Sequence, residues 1–371
     1  MQNQASTTLQ FFWKDHSVRA EFRAGVSLHS HTMYSEESLD ILPRHTGHIP
    51  LLRHALDKNV DYASAYWTPP LSPREAYRTE EKQIERKLQL LAMVSLTDHD
   101  NIKAGTLLRV LDRFGPAPVS TEWTIPFGTT FFHLGIHNLP VSQAGAIMEE
   151  LQRYTATPDP ADLGRKLAML ASHPAVLIVL NHPLWDEKGI GADHHVSTVT
   201  ALVKEHGKHI HALELNGLRS WTENREVIRF AQQAGIPAVS GGDRHGREPN
   251  AILNLTSAAT FPEFVHDVRH RRISHVVFMP QYRESLNLRI MQTVIDVLRD
   301  YPETFEGRRT WPDRVFCRHP DTSTPIPLST IWENGSQPAI FRAVTLATRV
   351  AQWGPVQTAF RLACLEREIA T

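Results

Sequence analysis

The sequence predicts an α/β fold, a parallel β/α barrel or an open sheet, on three observations. Seven short apolar, β-branched runs are spread between residues 25 and 240, helical stretches separate many of them, and each run stops at a histidine or a carboxylate. Strands that alternate with helices build parallel sheets, and in such folds the site forms at the C-terminal strand ends. Ordinary turns after strands favour Gly, Asn, Asp, Ser and Pro for backbone reasons, and those reasons do not select His or Glu.

The first run, 25–28, ends at His29-Ser30-His31. Positions i and i+2 of an extended chain point the same way, so the two imidazoles can share one ion. A helical stretch follows at 50–58, and residues 62–90 read as an insertion: a stiff aromatic and proline segment at 66–73 (YWTPPLSP), then a charged helix to about Gln89. The second run, 91–96, ends at Thr97-Asp98-His99-Asp100 and precedes a helix over 102–114. The third, 119–121, ends at Glu122, and a hairpin with Gly128 as its turn residue leads through Phe131-Phe132 to His133. Helical stretches at 144–154 and 162–172 precede 176–180, the most hydrophobic run, which ends at Asn181-His182-Pro183. After a helix at 196–205, Ala212-Leu213 lead to Glu214; after another at 224–234, the run 237–240 ends at Gly241-Gly242. Two glycines let the backbone turn sharply, and Asp243-Arg244-His245 repeats the i, i+2 pair.

Beyond about residue 275 this pattern ceases. Residues 284–299 read as an amphipathic helix, 307–327 as a loop, and 338–369 as mostly helical, with apolar faces suited to packing on another element. The expected division is a hydrolase domain over 1–275, carrying the 62–90 insertion, and a mainly helical region over 276–371 packed on the barrel or on a partner subunit.

Composition narrows the function classes. The 371 residues are 41% hydrophobic and 21% charged, an ordinary globular balance. No apolar run reaches 18 residues, so no membrane span is expected, and the start lacks the basic and apolar regions of a signal peptide. Two cysteines permit at most one bridge, which favours a cytoplasmic protein. A formal net charge of -1 argues against dedicated duplex-DNA binding. The unusual number is 21 histidines, the commonest metal ligand and the side chain that titrates near neutral pH. Their convergence with carboxylates at strand ends would bury polar groups that need partners. Metal ions supply such partners, and a mixed imidazole–carboxylate set suits Zn, Mn or Fe better than Ca or Mg.

In order, HSHTMYSEES, VSLTDHD, VSTEW, FFHLG, LNHP, LELNG and SGGDRHG resemble the signature of the polymerase-and-histidinol-phosphatase (PHP) superfamily over roughly residues 23–250, especially its small phosphoesterase and ribonuclease-like members. The resemblance implies a distorted seven-stranded β/α barrel, here with an extra C-terminal helical region, and two or three divalent ions. Carried over by position, it makes His29, His31, Glu122 and Asp243 ligands of one ion. Glu122 would bridge to a second ion held by His133 and His182, and a third would use His99, His245 and the Ser35–Glu37 segment, with Glu37 as the candidate. There the family usually has Asp-Gly or His, whereas this chain has Glu36-Glu37. His99, His245 and Asp98 are the candidate catalytic groups; Arg244, Arg247, Lys103 and Arg219 are candidate phosphate clamps; Glu36, Glu214 and Asn216 complete the candidate substrate contacts. The expected substrate is a small phosphorylated molecule or a short oligonucleotide.

Two other classes make different demands. An amidohydrolase-type C–N or C–O hydrolase also uses H-x-H after a first strand, but normally has eight strands and often a carbamylated lysine between its metals. Here Glu122 stands at the bridging position and no lysine ends a strand. A non-catalytic metal-binding module would be expected to lose ligands, and this chain keeps nearly all of them.

Overall fold

The structure, a computed structural model, describes residues 5–15, 20–39, 64–303, 308–317, 324–332, 339–351, 353–356, 358 and 368–369. It is mixed α/β. One five-stranded sheet has the order β1 (Ser6–Phe11), β12 (Ile273–Phe278), β11 (Ile252–Thr256), β2 (Ala24–Ser27), β5 (Leu91–Val94). A second runs β10 (Ala238–Gly241), β9 (Ala212–Asn216), β8 (Leu177–Leu180), β7 (Thr130–His137), β6 (Thr121–Phe127). The pairs β1–β12, β2–β5, β8–β9 and β9–β10 are parallel; β6–β7, β7–β8, β2–β11 and β11–β12 are antiparallel.

No sheet among the described residues closes on itself. The two large sheets meet instead along two seams of backbone hydrogen bonds. At one, Gly242 and Asp243 donate to the carbonyls of Leu28 and His29 at 3.0 and 2.8 Å, and His31 donates to Arg244 at 2.9 Å. At the other, Glu122 donates to Asp98 at 3.1 Å and Asp100 to Glu122 at 2.8 Å. Both seams lie just past the strands that end at histidines and carboxylates, so the sequence's polar clusters meet there.

The helices cover the outer face of the second sheet: α3 (Ala144–Ala156), α4 (Pro160–Ser172), α5 (Ala192–His206) and α6 (Trp221–Ala234). Their Leu151, Leu163, Leu167, Leu202 and Val227 pack with strand residues Trp123, Leu134, Ile178 and Leu213 in one buried cluster. Each such side chain contributes about 1.5–3 kcal/mol of transfer free energy. The four helices extend the expected ones by a few residues at one or both ends, and α2 (Lys103–Arg109) is shorter than expected, finishing in a 3-10 turn at Asp112–Phe114. Gly128, at φ +59, makes the expected hairpin turn between β6 and β7.

Three strands of the two large sheets escaped the sequence reading, as did the four short strands β3 (Glu37–Ser38), β4 (Tyr66–Trp67), β13 (Val315–Cys317) and β14 (Ile326–Pro327), the last two within the expected loop at 307–327. β1, β11 and β12 carry few chemically loaded residues, and β12 runs across the expected division at 275. Glu122, expected to end a strand, opens β6, because the hairpin extends both strands well past the loaded residues. The expected helix at 50–58 lies outside the described residues, as does Cys364; Cys317 is a buried free thiol. Within the 62–90 insertion, Ser72 caps α1 (Pro73–Gln83) through a capping box with Glu75.

After β12 come α8 (Leu286–Val297), β13 (Val315–Cys317), β14 (Ile326–Pro327), α9 (Leu328–Ile331) and α10 (Ala339–Ala351), α7 (Phe261–His266) having preceded β12. β13 and β14 join β3 (Glu37–Ser38) and β4 (Tyr66–Trp67) in a small sheet, so the C-terminal region packs on the rim of the seam. Among the described residues no helix is long and apolar enough to cross a membrane.

Candidate metal centre

The strand ends deliver their side chains through unusual backbone. His29, His182 and Asp243 have φ of 61°, 27° and 55°, a region that costs a non-glycine residue about 1–3 kcal/mol and concentrates at functional sites. All three side chains turn into one buried cluster around Glu122.

Three groups of donors form there: His29, His31 and Glu122; His99, Glu122 and His133; and His31, Glu37, His99 and His245. Glu122 Oε2 lies 2.9 Å from His29 Nε2 and 3.2 Å from His31 Nε2. Its other oxygen lies 3.5 Å from His133 Nδ1 and 3.3 Å from His182 Nε2, and accepts from Asn181 Nδ2 at 2.9 Å. Asp243 Oδ1 is 3.7 Å from the Nε2 of both His29 and His31. Glu37 Oε2 lies 3.3 Å from His99 Nε2 and 3.2 Å from His245 Nε2. The Glu36-Glu37 departure from the family pattern thus still brings a carboxylate to this pair, with Glu36 left exposed on the rim.

Electrostatics follow from this crowding. Burial opposes the charge on Glu122, yet His29, His99 and His133 hold its carboxyl well below the usual range. Glu37 is likewise depressed against its burial by His245, His99 and His31. Burial lowers the His29 ring, and Glu122, Glu214 and Asp243 more than offset that, leaving it raised. At His133 burial prevails and the ring is held well below its ordinary value.

A second layer orients these groups. Glu214 Oε1 lies 2.5 Å from His29 Nδ1, while its Oε2 accepts from His182 N at 2.8 Å and Asn216 Nδ2 at 2.9 Å. Asn216 Nδ2 also reaches Asp243 Oδ2 at 3.3 Å. Glu214 and Asn216, expected at the substrate, therefore stand behind the ligand candidates. Asp98, expected among the catalytic groups, is not on the cleft wall: its oxygens accept from Thr32 N at 2.6 Å and Thr32 Oγ1 at 2.8 Å, and burial pushes its carboxyl up to about 6.

Above the cluster opens a cleft of about 580 Å³, within the range of small-molecule sites. Three of the four candidate clamps stand outside it. Arg244 turns to the back and pairs with Glu80 at 2.9 Å; Arg247 is held by Glu303 at 3.3 Å and lies over Tyr301; Lys103 projects from the exposed start of α2. Arg219 alone lines the cleft, 3.6 Å from Asp243 Oδ2 and 3.6 Å above the Trp185 ring.

The sequence reading missed Trp185 and Glu187, which also line the cleft. Glu187 approaches His133 Nδ1 to 3.8 Å, and burial pushes its carboxyl up to about 7. Their one signal was position, immediately after His182-Pro183. Trp67 lines the cleft beside His245, with ring centroids 5.6 Å apart, whereas its neighbour Tyr66 stacks on Phe316. Ile290 and Thr293 of α8 complete one wall, although no described residue beyond 275 belongs to a donor group.

The chain matches no protein-family model and no curated protein. Among solved structures it is similar to a protein from Bifidobacterium adolescentis provisionally described as a metal-dependent phosphoesterase, at 12% identity and a TM-score of 0.37, over 66% of this chain and 96% of that one. It is also similar to an amidohydrolase from Chromobacterium violaceum with bound sulfate and no metal, at 14% identity and a TM-score of 0.36, over 59% and 87%. At these scores the likeness carries no functional inference.

Proposed function

We propose that this chain is a metal-dependent hydrolase of phosphate esters, of the PHP type that its motifs resemble, with its catalytic unit in residues 1–275. The observation that carries the reading is the sharing of donors: Glu122, His31 and His99 each belong to two of the three groups. Overlapping donor groups place candidate ion positions side by side, as in two-metal sites, and a carboxylate such as Glu122 can bridge two ions with its two oxygens.

The donor set fits such ions. The Nε2 atoms of His29 and His31 face each other at 3.1 Å, and Glu37 Oε1 is buried without a hydrogen-bond partner. With an ion in place of the second ring proton, the Glu214 contact would keep the remaining His29 proton on Nδ1 and turn the Nε2 lone pair inward. In this reading His29, His31, Glu122 and Asp243 hold one ion, Glu122, His133 and His182 a second, and Glu37, His99 and His245 a third. The set suits Zn, Mn or Fe. When bound, such ions polarise a phosphoryl group and acidify water.

The remaining work falls to the chain's own residues. Arg219, stiffened by Trp185, gives the wall a positive charge for phosphoryl oxygens. Trp67 and Trp185 exclude water and cover the leaving group. Asp98 steers Thr32 and with it the loop bearing His31. His99 and His245, expected from sequence both as ligands and as catalytic groups, serve here as ligands. A cleft of this size admits a small phosphorylated molecule or the end of a short oligonucleotide.

The test is phosphate release from a panel of phosphomonoesters and phosphodiesters, run beside amide and lactone substrates, before and after chelation. Metal-dependent phosphate release is expected. Turnover of amides or lactones alone would replace this reading with a C–N or C–O hydrolase, and metal binding without turnover of any substrate would leave a binding module.

A further inference from the structure

The histidine and aspartate pairs at the seam leave an odd residue between their members. His29 and His31 turn into the donor cluster with Glu122, and Ser30 between them turns to Asn250; Asp243 and His245 line the cleft, and Arg244 between them turns back to Glu80. Arg244 meets a carboxylate delivered from the insertion, and Ser30 meets Asn250, whose backbone N–H donates to that same carboxylate. Glu80, on α1, is 0% exposed and Arg244 5%. Glu80 Oε1 accepts from Arg244 Nε at 2.9 Å and its Oε2 from Ser27 Oγ at 2.9 Å, while Asn250 N donates to both oxygens at 3.0 and 3.2 Å. Asn250 Nδ2 donates in turn to Ser27 Oγ at 2.7 Å and Leu28 O at 3.0 Å, and Ser30 Oγ donates to Asn250 Oδ1 at 3.3 Å.

We propose that Glu80 and Arg244 are a positioning pair that locks the His29–His31 and Asp243–His245 segments together from behind and so sets the ligand geometry of the metal centre. The proposal rests on the reading that the centre holds metal. A buried ion pair adds little stability over a well-packed apolar pair, because desolvating two charges costs about what their attraction returns. What it adds is direction. His29 and Asp243 sit at φ of 61° and 55°, conformations that persist only where the surroundings over-determine them. The pair and its Asn250 and Ser27 partners bond to residues adjoining both, and the Arg244 carbonyl accepts from His31 N at 2.9 Å. Groups that orient metal ligands through contacts of this kind typically contribute about 10–100-fold in metal affinity.

The experiment titrates metal-free full-length protein with Co(II) against a competing chelator, following the visible absorption that reports ligand geometry, with circular dichroism to fix the folded fraction. Wild type is compared with Glu80→Gln, Arg244→Lys and the uncharged double variant Glu80→Gln/Arg244→Gln, which keeps a polar pair should either single variant fail to fold. The expected result is a folded variant that binds Co(II) about 10–100-fold more weakly, with an altered spectrum. Folded variants with wild-type affinity and spectrum overturn the proposal. So does a set in which every variant unfolds, since the pair is then only structural. Wild-type protein that binds no Co(II) overturns the metal reading itself, and the positioning role with it.

Discussion

His29 Nδ1 lies 2.5 Å from Glu214 Oε1, and the opposite ring nitrogen lies 2.9 Å from Glu122 Oε2. One carboxylate behind the ring thus fixes which nitrogen carries the proton and which faces the cluster. Glu214 also accepts from His182 N, so two ligand candidates depend on it. Glu214→Gln is expected to lower metal affinity about 10–100-fold while leaving the fold intact. Competition with a chromophoric chelator measures this, and unchanged affinity would remove Glu214 from the supporting layer.

Gly241 lies against that same carboxylate. A Cβ at this position would overlap the Glu214 side chain, and neither β10 nor β9, paired in parallel through Gly241 and Asn216, has room to shift. Gly241→Ala should destabilise the protein by more than about 2 kcal/mol and reduce metal content together. Urea unfolding with elemental analysis checks both. Wild-type stability would show that the packing behind His29 is looser than described.

Much of the centre was legible because ligands cluster where strands stop, and strand ends can be read from apolar runs. His29, His31, His99, His182, Asp243 and His245 reach it for that reason, whereas Glu122 and His133 reach it from within β6 and β7. What was not legible depended on side-chain direction and long-range pairing. Arg244 looked like a phosphate clamp by adjacency, yet alternation turns it away from the two ligand candidates flanking it, toward Glu80 at a separation of 164 residues. Glu80 itself sits in a helix whose charge pattern reads as solvated. The strands β1, β11 and β12 carry no chemical flag, so the two-sheet arrangement could not be read from loaded ends alone.

Trp67 tests the cleft wall. Its ring stands beside His245 and lines the cleft, while pairing with Glu37 and Val315 holds its backbone. Trp67→Ala should raise KM about 5- to 10-fold, the contribution of about 1–1.5 kcal/mol expected of one aromatic contact, with metal content unchanged. Steady-state kinetics decide this; an unchanged KM accompanied by lost thermal stability would make Trp67 a packing residue.

A pH prediction comes from His211, at the far end of the sheet. Ile178 N donates to its Nδ1 at 2.9 Å, and burial, with Arg269 and His270 nearby, pushes the ring down to about 3 from 6.5. The unfolded chain binds that proton more readily. The stabilising contribution is therefore complete above pH about 6.5 and is lost progressively as pH falls toward 3. Urea unfolding at pH 7.5 and pH 5 should show a larger acid loss for wild type than for His211→Gln, and equal losses would exclude the effect.

The most direct test of the metal-centre account is elemental analysis of protein purified without chelators, wild type beside Glu122→Gln. Two or three transition-metal ions per wild-type chain are expected, with most lost from the variant, because Glu122 faces five histidines with its two oxygens. Less than one ion per wild-type chain, or full loading of folded Glu122→Gln, would contradict the account.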